Sequence, residues 1–226
     1  SFVATFNGWI LWPRWLALTV LAVALGATRY VLHEFSDVEL RFAAIPVFCG
    51  VLFVCCAFCH GEIYRLRPSA RHSTSLYLWV SAGGAAGAFF VGVLAPVAFS
   101  ANYELFWALI SVSALAVVVS WKHGVAWSAG WSIATVAIAI WLMDQARVDR
   151  RDTIAQVRSF YGTLRVTESP RSGSGVTART LYNGTIEHGV QLYDSGQRLV
   201  PNTYYADSSG IGIALDFWKI AMRPGK

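Results

Sequence analysis

Two cysteines and a histidine stand together near the end of a long apolar run. The stretch Cys56-Ala-Phe-Cys59-His60 fits the C-x-x-C-H pattern of covalent haem attachment. A zinc site would instead need four nitrogen or sulfur ligands, which Cys55 and His72 could help to supply. The third interpretation is that the cysteines are small apolar residues of a membrane helix. We favour it, because the run is continuous and apolar, and we expect no cofactor and no bound metal.

Ionisable side chains follow directly after this run. They form an interfacial polar cluster, His60, Glu62, Arg65, Arg67 and His72, in a predicted loop over residues 60–74. One interpretation is a polar site or a docking surface for a partner. The other is a solvated loop whose arginines meet lipid phosphate groups. The sequence leaves both open.

Long apolar segments must position these residues. Five candidate spans are close to the ~20 residues that cross a bilayer as a helix: Trp15–Leu32, Ala43–Cys59, Ser75–Phe99, Leu105–Trp121 and Val125–Met143. Only Arg29, near the end of the first, is an acidic or basic residue inside a span. Tryptophans stand near many of the ends, as is typical of the headgroup region. We therefore expect a bundle of about five transmembrane helices over residues 1–143.

The third span carries closely spaced small residues. Gly83 and Gly87 form a G-x-x-x-G pair, with Gly84 one step round the helix. Such spacing lets two helices approach closely in lipid. A phosphate-binding loop would instead follow a strand in an aqueous domain. We expect these three glycines to mark a helix-packing face.

The remainder of the chain has a different composition. Residues 144–226 carry 19 of the 31 charged side chains, although charged residues are only 14% of the whole chain. We expect a helical extension or linker over residues 144–157. Residues 158–226 then form a small extramembrane antiparallel β-domain with a short C-terminal helix capped by Ser208 or Ser209. Within it, Asn183-Gly184 predicts a type I′ hairpin turn.

The net charge limits which classes of partner we expect for this chain. A net charge of +5, without aromatic–basic interleaving or a nucleic-acid module, argues against nucleic-acid binding. Basic residues lie on both predicted faces of the membrane, so charge alone does not orient the chain. We expect the lipid bilayer and other membrane protein subunits as partners.

Several motifs, in order, resemble one family. They are Cys59-His-Gly-Glu-Ile-Tyr-Arg-Leu-Arg-Pro68, the stretch from His72 to Phe90, Tyr161-Gly-Thr-Leu-Arg-Val-Thr-Glu168, Asn183-Gly-Thr-Ile-Glu-His-Gly-Val-Gln191 and Thr203-Tyr-Tyr205. Over roughly residues 14–215 the chain resembles bacterial membrane-bound spermidine-synthase-like proteins. Those proteins join a polytopic membrane region to an aminopropyltransferase-type domain. The resemblance makes Cys59-His60 part of a C-H-G-E pattern, with Cys56 incidental.

The resemblance implies a reaction, aminopropyl transfer, and a location in the cell. Spermidine synthases transfer an aminopropyl group from decarboxylated S-adenosylmethionine to putrescine, and the small β-domain forms part of the substrate wall. By position, His188, Gln191, Tyr204 and Tyr205 are the implied wall residues. Soluble relatives carry a Tyr-His-Glu stretch where this chain has Tyr204-Tyr205-Ala206. The resemblance also implies the bacterial inner membrane, with the β-domain in the cytoplasm where the donor is made.

Two functions are compatible with these motifs. The family's Gly-rich donor loop and catalytic aspartate would come after the last residue of this sequence, so we expect no catalytic residues within it. The first expectation is therefore a non-catalytic membrane scaffold or accessory subunit that docks into a larger membrane assembly. The alternative is the membrane-plus-β portion of an aminopropyltransferase whose catalytic domain is absent from this sequence.

Overall fold

The computed structural model describes residues 1–34, 41–148, 150–170, 176–193 and 196–221, without the side chains of 32–34, 41–43 and 220–221. The helical part comprises α1 (Phe2–Phe6), α2 (Arg14–Glu34), α3 (Arg41–Arg65), α4 (Ser73–Phe89), α5 (Ala95–Ala98), α6 (Glu104–Ser120) and α7 (Val125–Val148). Four strands follow: β1 (Thr153–Ser159), β2 (Gly162–Pro170), β3 (Thr177–Asn183) and β4 (Ile186–Leu192). Helix α8 (Gly210–Ala221) ends the described chain.

Within the described residues, five helical segments are long and apolar enough to cross a membrane, in agreement with the predicted number. They are Arg14–Val31, Ala44–Arg65, Ala70–Ala98, Glu104–His123 and Val125–Val148. The third combines α4, a π-helical turn over Phe90–Leu94 and α5. Pro96 has no N–H to donate within the helix, and the π-turn lies directly before it, as local changes of helix type often do near proline.

Two predicted boundaries are wrong. Helix α3 continues to Arg65, so His60 and Glu62 lie on a helix and not in the predicted loop. Helix α7 ends at Val148, and β1 begins at Thr153, whereas the sequence predicts a helical extension or linker to residue 157. A register shift between Thr153 and Ala155 breaks the alternation in β1, which explains why its sequence does not read as a strand.

The chain divides into two compact units. The first unit is Ser1–Ala86 with Leu105–Trp141, and the second unit is Gly87–Glu104 with Leu142–Lys226. In the first unit α2 packs on α3, and both contribute buried residues, including Leu18, Leu21, Ala57 and Phe58. In the second unit the strands form one antiparallel sheet in the order β1-β2-β3-β4, so each strand pairs with its sequence neighbour.

The β3–β4 hairpin is confirmed, but its turn lies one residue later than predicted. Asn183 pairs with Ile186, which leaves Gly184 and Thr185 as the two turn residues. Gly184 has φ +61°, whereas Thr185 is not among the residues with positive φ. A glycine at the first central position with a single positive φ fits a type II′ turn and not the predicted type I′. Helix α8 begins as predicted, since the Gly212 N–H donates to Ser209 Oγ at 3.1 Å.

Candidate functional site

The exposed sheet carries a concave site, which we call the sheet groove. All four strands contribute to its lining, together with the segment after β4, and its volume is about 660 Å³. Gln191 on β4 and Tyr205 in the short 3₁₀ turn Thr203–Tyr205 both line it. These are two of the four wall residues that the family resemblance implies.

The other two implied wall residues do not line this groove. Tyr204 is exposed to solvent next to Tyr205. His188 lies where the β3–β4 register shifts, since Tyr182 pairs with Glu187 but Leu181 pairs with Gly189. A bulged residue is left out of the ladder and its side chain is turned from the regular alternation. The bulge has no signal in the sequence.

Hydrogen bonds fix the mouth of the sheet groove. Gln191 Nε2 donates to the Arg198 carbonyl oxygen at 3.1 Å, which ties β4 to the segment beyond it. Asn202 Nδ2 donates to the Val200 carbonyl oxygen at 2.9 Å and shapes the turn that precedes Tyr205. Thr203, which follows Asn202 and begins the 3₁₀ turn, has φ +57°, a left-handed conformation that is costly for a β-branched residue. Strained backbone of this kind clusters at ligand and active sites.

Arginine and tyrosine dominate the electrostatics of the groove. Arg179 Nε donates to Glu168 Oε2 at 2.6 Å, and this hydrogen bond raises the pKa of Arg179. The guanidinium carbons of Arg179 and Arg198 lie 4.2 and 4.7 Å from the centre of the Tyr193 ring. Among the described lining residues there is no carboxylate. Because the nearby carboxylate of Glu168 is engaged by Arg179, the described lining offers no free acidic group of the kind that a polyamine needs.

The sheet is attached within its own unit by Arg158 on β1. Its guanidinium donates to the Ala101 carbonyl oxygen at 2.6 Å and forms an ion pair with Glu104, the first residue of α6. Thr163 Oγ1 contacts Asn102 Oδ1 at 3.4 Å, and Arg150 Nε donates to Tyr103 Oη at 3.1 Å. The connection between α5 and α6 therefore fastens the sheet. We call the Arg158–Glu104 pair the sheet clasp.

The first unit holds a second polar site, at the end of α3. Glu62 is only 5% exposed and accepts from Arg14 Nη2 at 2.9 Å and from Arg65 Nη1 at 2.6 Å. Arg65 also donates to the Trp12 carbonyl oxygen, which fixes the segment between α1 and α2. We call Glu62 with its two arginines the helix clasp. No local pattern in the sequence marks Arg14 as a member, because its partner is 48 residues away.

The predicted interfacial polar cluster is thus only partly brought together. His60 Nδ1 is 3.0 Å from Ser1 Oγ, and Phe2 of α1 packs edge-on against the His60 ring at 5.3 Å. Arg67 stacks on Tyr64, with its guanidinium carbon 3.8 Å from the ring centre. His72 is exposed and contacts Ser69.

The cysteines and glycines singled out by the sequence belong to neither polar site. Cys49, Cys55, Cys56 and Cys59 are free thiols on α3. In the described part of the chain no three His, Cys, Asp or Glu side chains are placed to hold a metal ion. A Cβ atom added at Gly83, Gly84 or Gly87 would meet nothing within 4 Å. The close helix contact expected there is not made by the described residues of this chain and stays a prediction.

Comparison of this chain with protein-family models, with curated proteins and with solved structures gives no match in any of the three.

Proposed function

We propose that this chain is a multi-pass membrane scaffold that holds a small antiparallel sheet at the membrane surface, where the sheet docks a further folded domain. The observation that carries the proposal is the set of five apolar helices. Helix α4 has no buried residue, although Leu78 and Trp79 on it are large and apolar. In water such a surface would be strongly unfavourable, whereas lipid or neighbouring helices would accommodate it.

The sheet clasp supports the scaffold role. The connection between α5 and α6 joins two of the candidate spans, so it would lie at one surface of the bilayer. Arg158 holds β1 to this connection through Ala101 and Glu104. The sheet would therefore be fixed close to the headgroups and not carried on a free linker.

Exposed apolar residues of the second unit support docking. Phe160 and Tyr161, in the β1–β2 turn, are 82% and 94% exposed, and Leu199 is 92% exposed. Helix α8 leaves Phe217 and Trp218 exposed as well. A sheet this small buries little surface of its own, and apolar patches on that scale mark interaction sites. In an accessory role the docked domain would belong to another subunit of a membrane assembly.

Extraction of isolated membranes tests the membrane part of the proposal. We expect the chain to remain in the pellet after an alkaline carbonate wash and to be released by a non-denaturing detergent. The five helices would hold the chain in the bilayer independently of charge, so high pH and high salt should not remove it. Release of the full chain by carbonate alone would overturn the proposal.

A second candidate function is favoured by the sheet groove. Because Gln191 and Tyr205 both line it, the chain is also a candidate for the membrane-plus-β portion of a spermidine-synthase-like aminopropyltransferase. In that role the groove would contact the adenosyl part of the donor, whose aromatic base suits the arginine and tyrosine lining. The acidic groups for the amine would come from a docked catalytic domain, and the sheet would face the cytoplasm of a bacterial cell.

Calorimetry with 5′-methylthioadenosine, the nucleoside that remains after aminopropyl transfer, tests this second candidate. We expect the purified chain to bind the nucleoside and the Gln191→Ala variant to bind it several-fold more weakly. Tyr204→Ala is the matched control, because Tyr204 does not line the groove. Absence of binding, or equal loss in both variants, would contradict the second candidate and leave the scaffold proposal standing.

A further inference from the structure

Helices α2, α6 and α7 of the first unit line an open apolar groove, which we call the helix groove. Its volume is about 610 Å³. Most of its wall is aliphatic or aromatic, and Arg29 is the one charged residue among the described lining residues. None of the helix clasp residues lines it.

Small residues create the width of this groove. Gly26 on α2 and Gly130 on α7 both line it. A Cβ atom added at either position would meet nothing within 4 Å, so no described residue of this chain fills the space beside them. On α7 the lining runs from Ala126 to Trp141, which is about 22 Å along a helix axis. That length covers most of the ~30 Å hydrocarbon core of a bilayer.

Arg29 supplies charge at one end of the groove. Its guanidinium carbon is 5.8 Å from the centre of the Trp141 ring, which is within the range of a cation–π contact. Among the described side chains it has no carboxylate partner. Glu62 and Glu104, by contrast, are both paired with arginines. A guanidinium near the end of a span that lines an apolar groove is well placed to receive an external anion.

We propose that the helix groove binds one anionic phospholipid, with an acyl chain along α7 and the phosphate group on Arg29. The inference rests on the membrane insertion proposed above. The apolar length matches an acyl chain, the Arg29 guanidinium matches a phosphate, and Trp141 lies beside that guanidinium as expected near the headgroup region. A protein helix in the same groove would account for the apolar wall but not for the cation at its end.

Native mass spectrometry of the full chain in detergent, titrated with phosphatidylglycerol or phosphatidylcholine, tests the charged end. We expect one tightly retained phosphatidylglycerol and weaker retention of phosphatidylcholine. Arg29→Gln should weaken phosphatidylglycerol binding about five- to tenfold, since one basic contact at a membrane surface is of that order. Arg147→Gln removes the same charge from the end of α7, outside the groove lining, and should leave binding unchanged.

Filling the groove tests the apolar part. Gly26→Leu and Gly130→Leu add side chains that line the groove, at positions where a Cβ atom meets no described atom within 4 Å, so they should fold normally and abolish the tightly retained lipid. Gly50→Leu, on α3 and equally free of neighbours, is the control and should retain it. Unchanged binding in Arg29→Gln or in both groove variants, or equal retention of the two lipids, would overturn the inference.

The two proposals fail in different ways. A carbonate-resistant protein without preference for phosphatidylglycerol would refute the lipid site alone. A protein that carbonate releases would refute membrane insertion and the lipid site with it.

Discussion

The helix clasp and the sheet clasp use the same kind of contact, a carboxylate–arginine ion pair, to hold an irregular segment in two different regions. In each, a carboxylate near a helix end holds an arginine that also donates to a backbone carbonyl oxygen: Arg65 to Trp12 in the first unit, and Arg158 to Ala101 in the second. In each, the partner comes from a distant part of the chain, Arg14 for Glu62 and Arg158 for Glu104. Both fasten irregular segments, the one between α1 and α2 and the one between α5 and α6.

The clasps differ in charge and burial. Glu62 has two arginines and a side chain that is 6% exposed, whereas Glu104 has one arginine and is 16% exposed. The helix clasp therefore carries an excess positive charge and the sheet clasp is neutral. Removal of Glu62 leaves two guanidinium groups without an anion, whereas breaking the sheet clasp leaves one group unpaired, so the helix clasp should be the more sensitive of the two.

Removal of Glu62 should have the largest effect. Glu62→Ala leaves Arg14 and Arg65 facing each other without an anion, and we expect a loss of about 3 kcal/mol of stability, the lower end for a buried pair. Both arginines keep some exposure, 26% and 19%, which limits the cost. Thermal unfolding of the detergent-solubilised protein measures this as a lower midpoint. Glu187→Ala on β4 removes an exposed carboxylate and is the control; equal shifts in the two variants would break the comparison.

Removal of Arg158 should have a smaller and local effect. Arg158→Met keeps the apolar length of the side chain but removes the ion pair and the hydrogen bond to Ala101, at a cost of about 2 kcal/mol. We expect hydrogen exchange to accelerate in β1 and β2 while the amides of α2 and α3 keep their protection. Arg151→Met, in the turn before β1, serves as the control. Faster exchange in α3 would show that the clasps are not independent.

A substitution in the β3–β4 turn should have the smallest effect on stability, and it involves neither clasp. Gly184→Ala places a side chain at φ +61°, where non-glycine residues are disfavoured by about 1 kcal/mol. Gly189→Ala, in the same hairpin, adds a Cβ at an ordinary 3.6 Å from the Tyr205 ring and should be tolerated. Hydrogen exchange of the β3–β4 amides distinguishes the two variants. Equal protection would argue against the left-handed conformation of Gly184.

The sequence predicted what depends on local pattern. The five apolar segments, the β3–β4 hairpin and the Ser209 cap of α8 follow from hydropathy, turn residues and capping preferences, and all three are found. These features need no knowledge of distant residues. The error at α3 is instructive, because Glu62 and Arg65 look like loop residues until their pairing on one helical turn is known.

The sequence could not predict what depends on contacts between distant residues. Arg158 and Glu104 lie 54 residues apart, and no local spacing marks them as partners. The bulge at His188 and the left-handed Thr203 likewise arise from how β4 and the following turn fit the sheet. For the sheet groove, the resemblance implied Gln191 with Tyr204 or Tyr205 as wall residues and His188 nearby. Gln191 and Tyr205 line the groove, and their role as a substrate wall stays a prediction.

Accessibility of single cysteines tests the central proposal, membrane insertion with the sheet at one surface, most directly. In a variant whose four native cysteines are replaced, a new cysteine would be introduced at Ser69, His123, Asn102 or Thr167 and labelled with a membrane-impermeant maleimide in sealed vesicles of one orientation. Five crossings predict that Ser69 and His123 label together from one face, and that Asn102 and Thr167 label together only when the other face is opened. Labelling of all four positions from the same face would contradict the account.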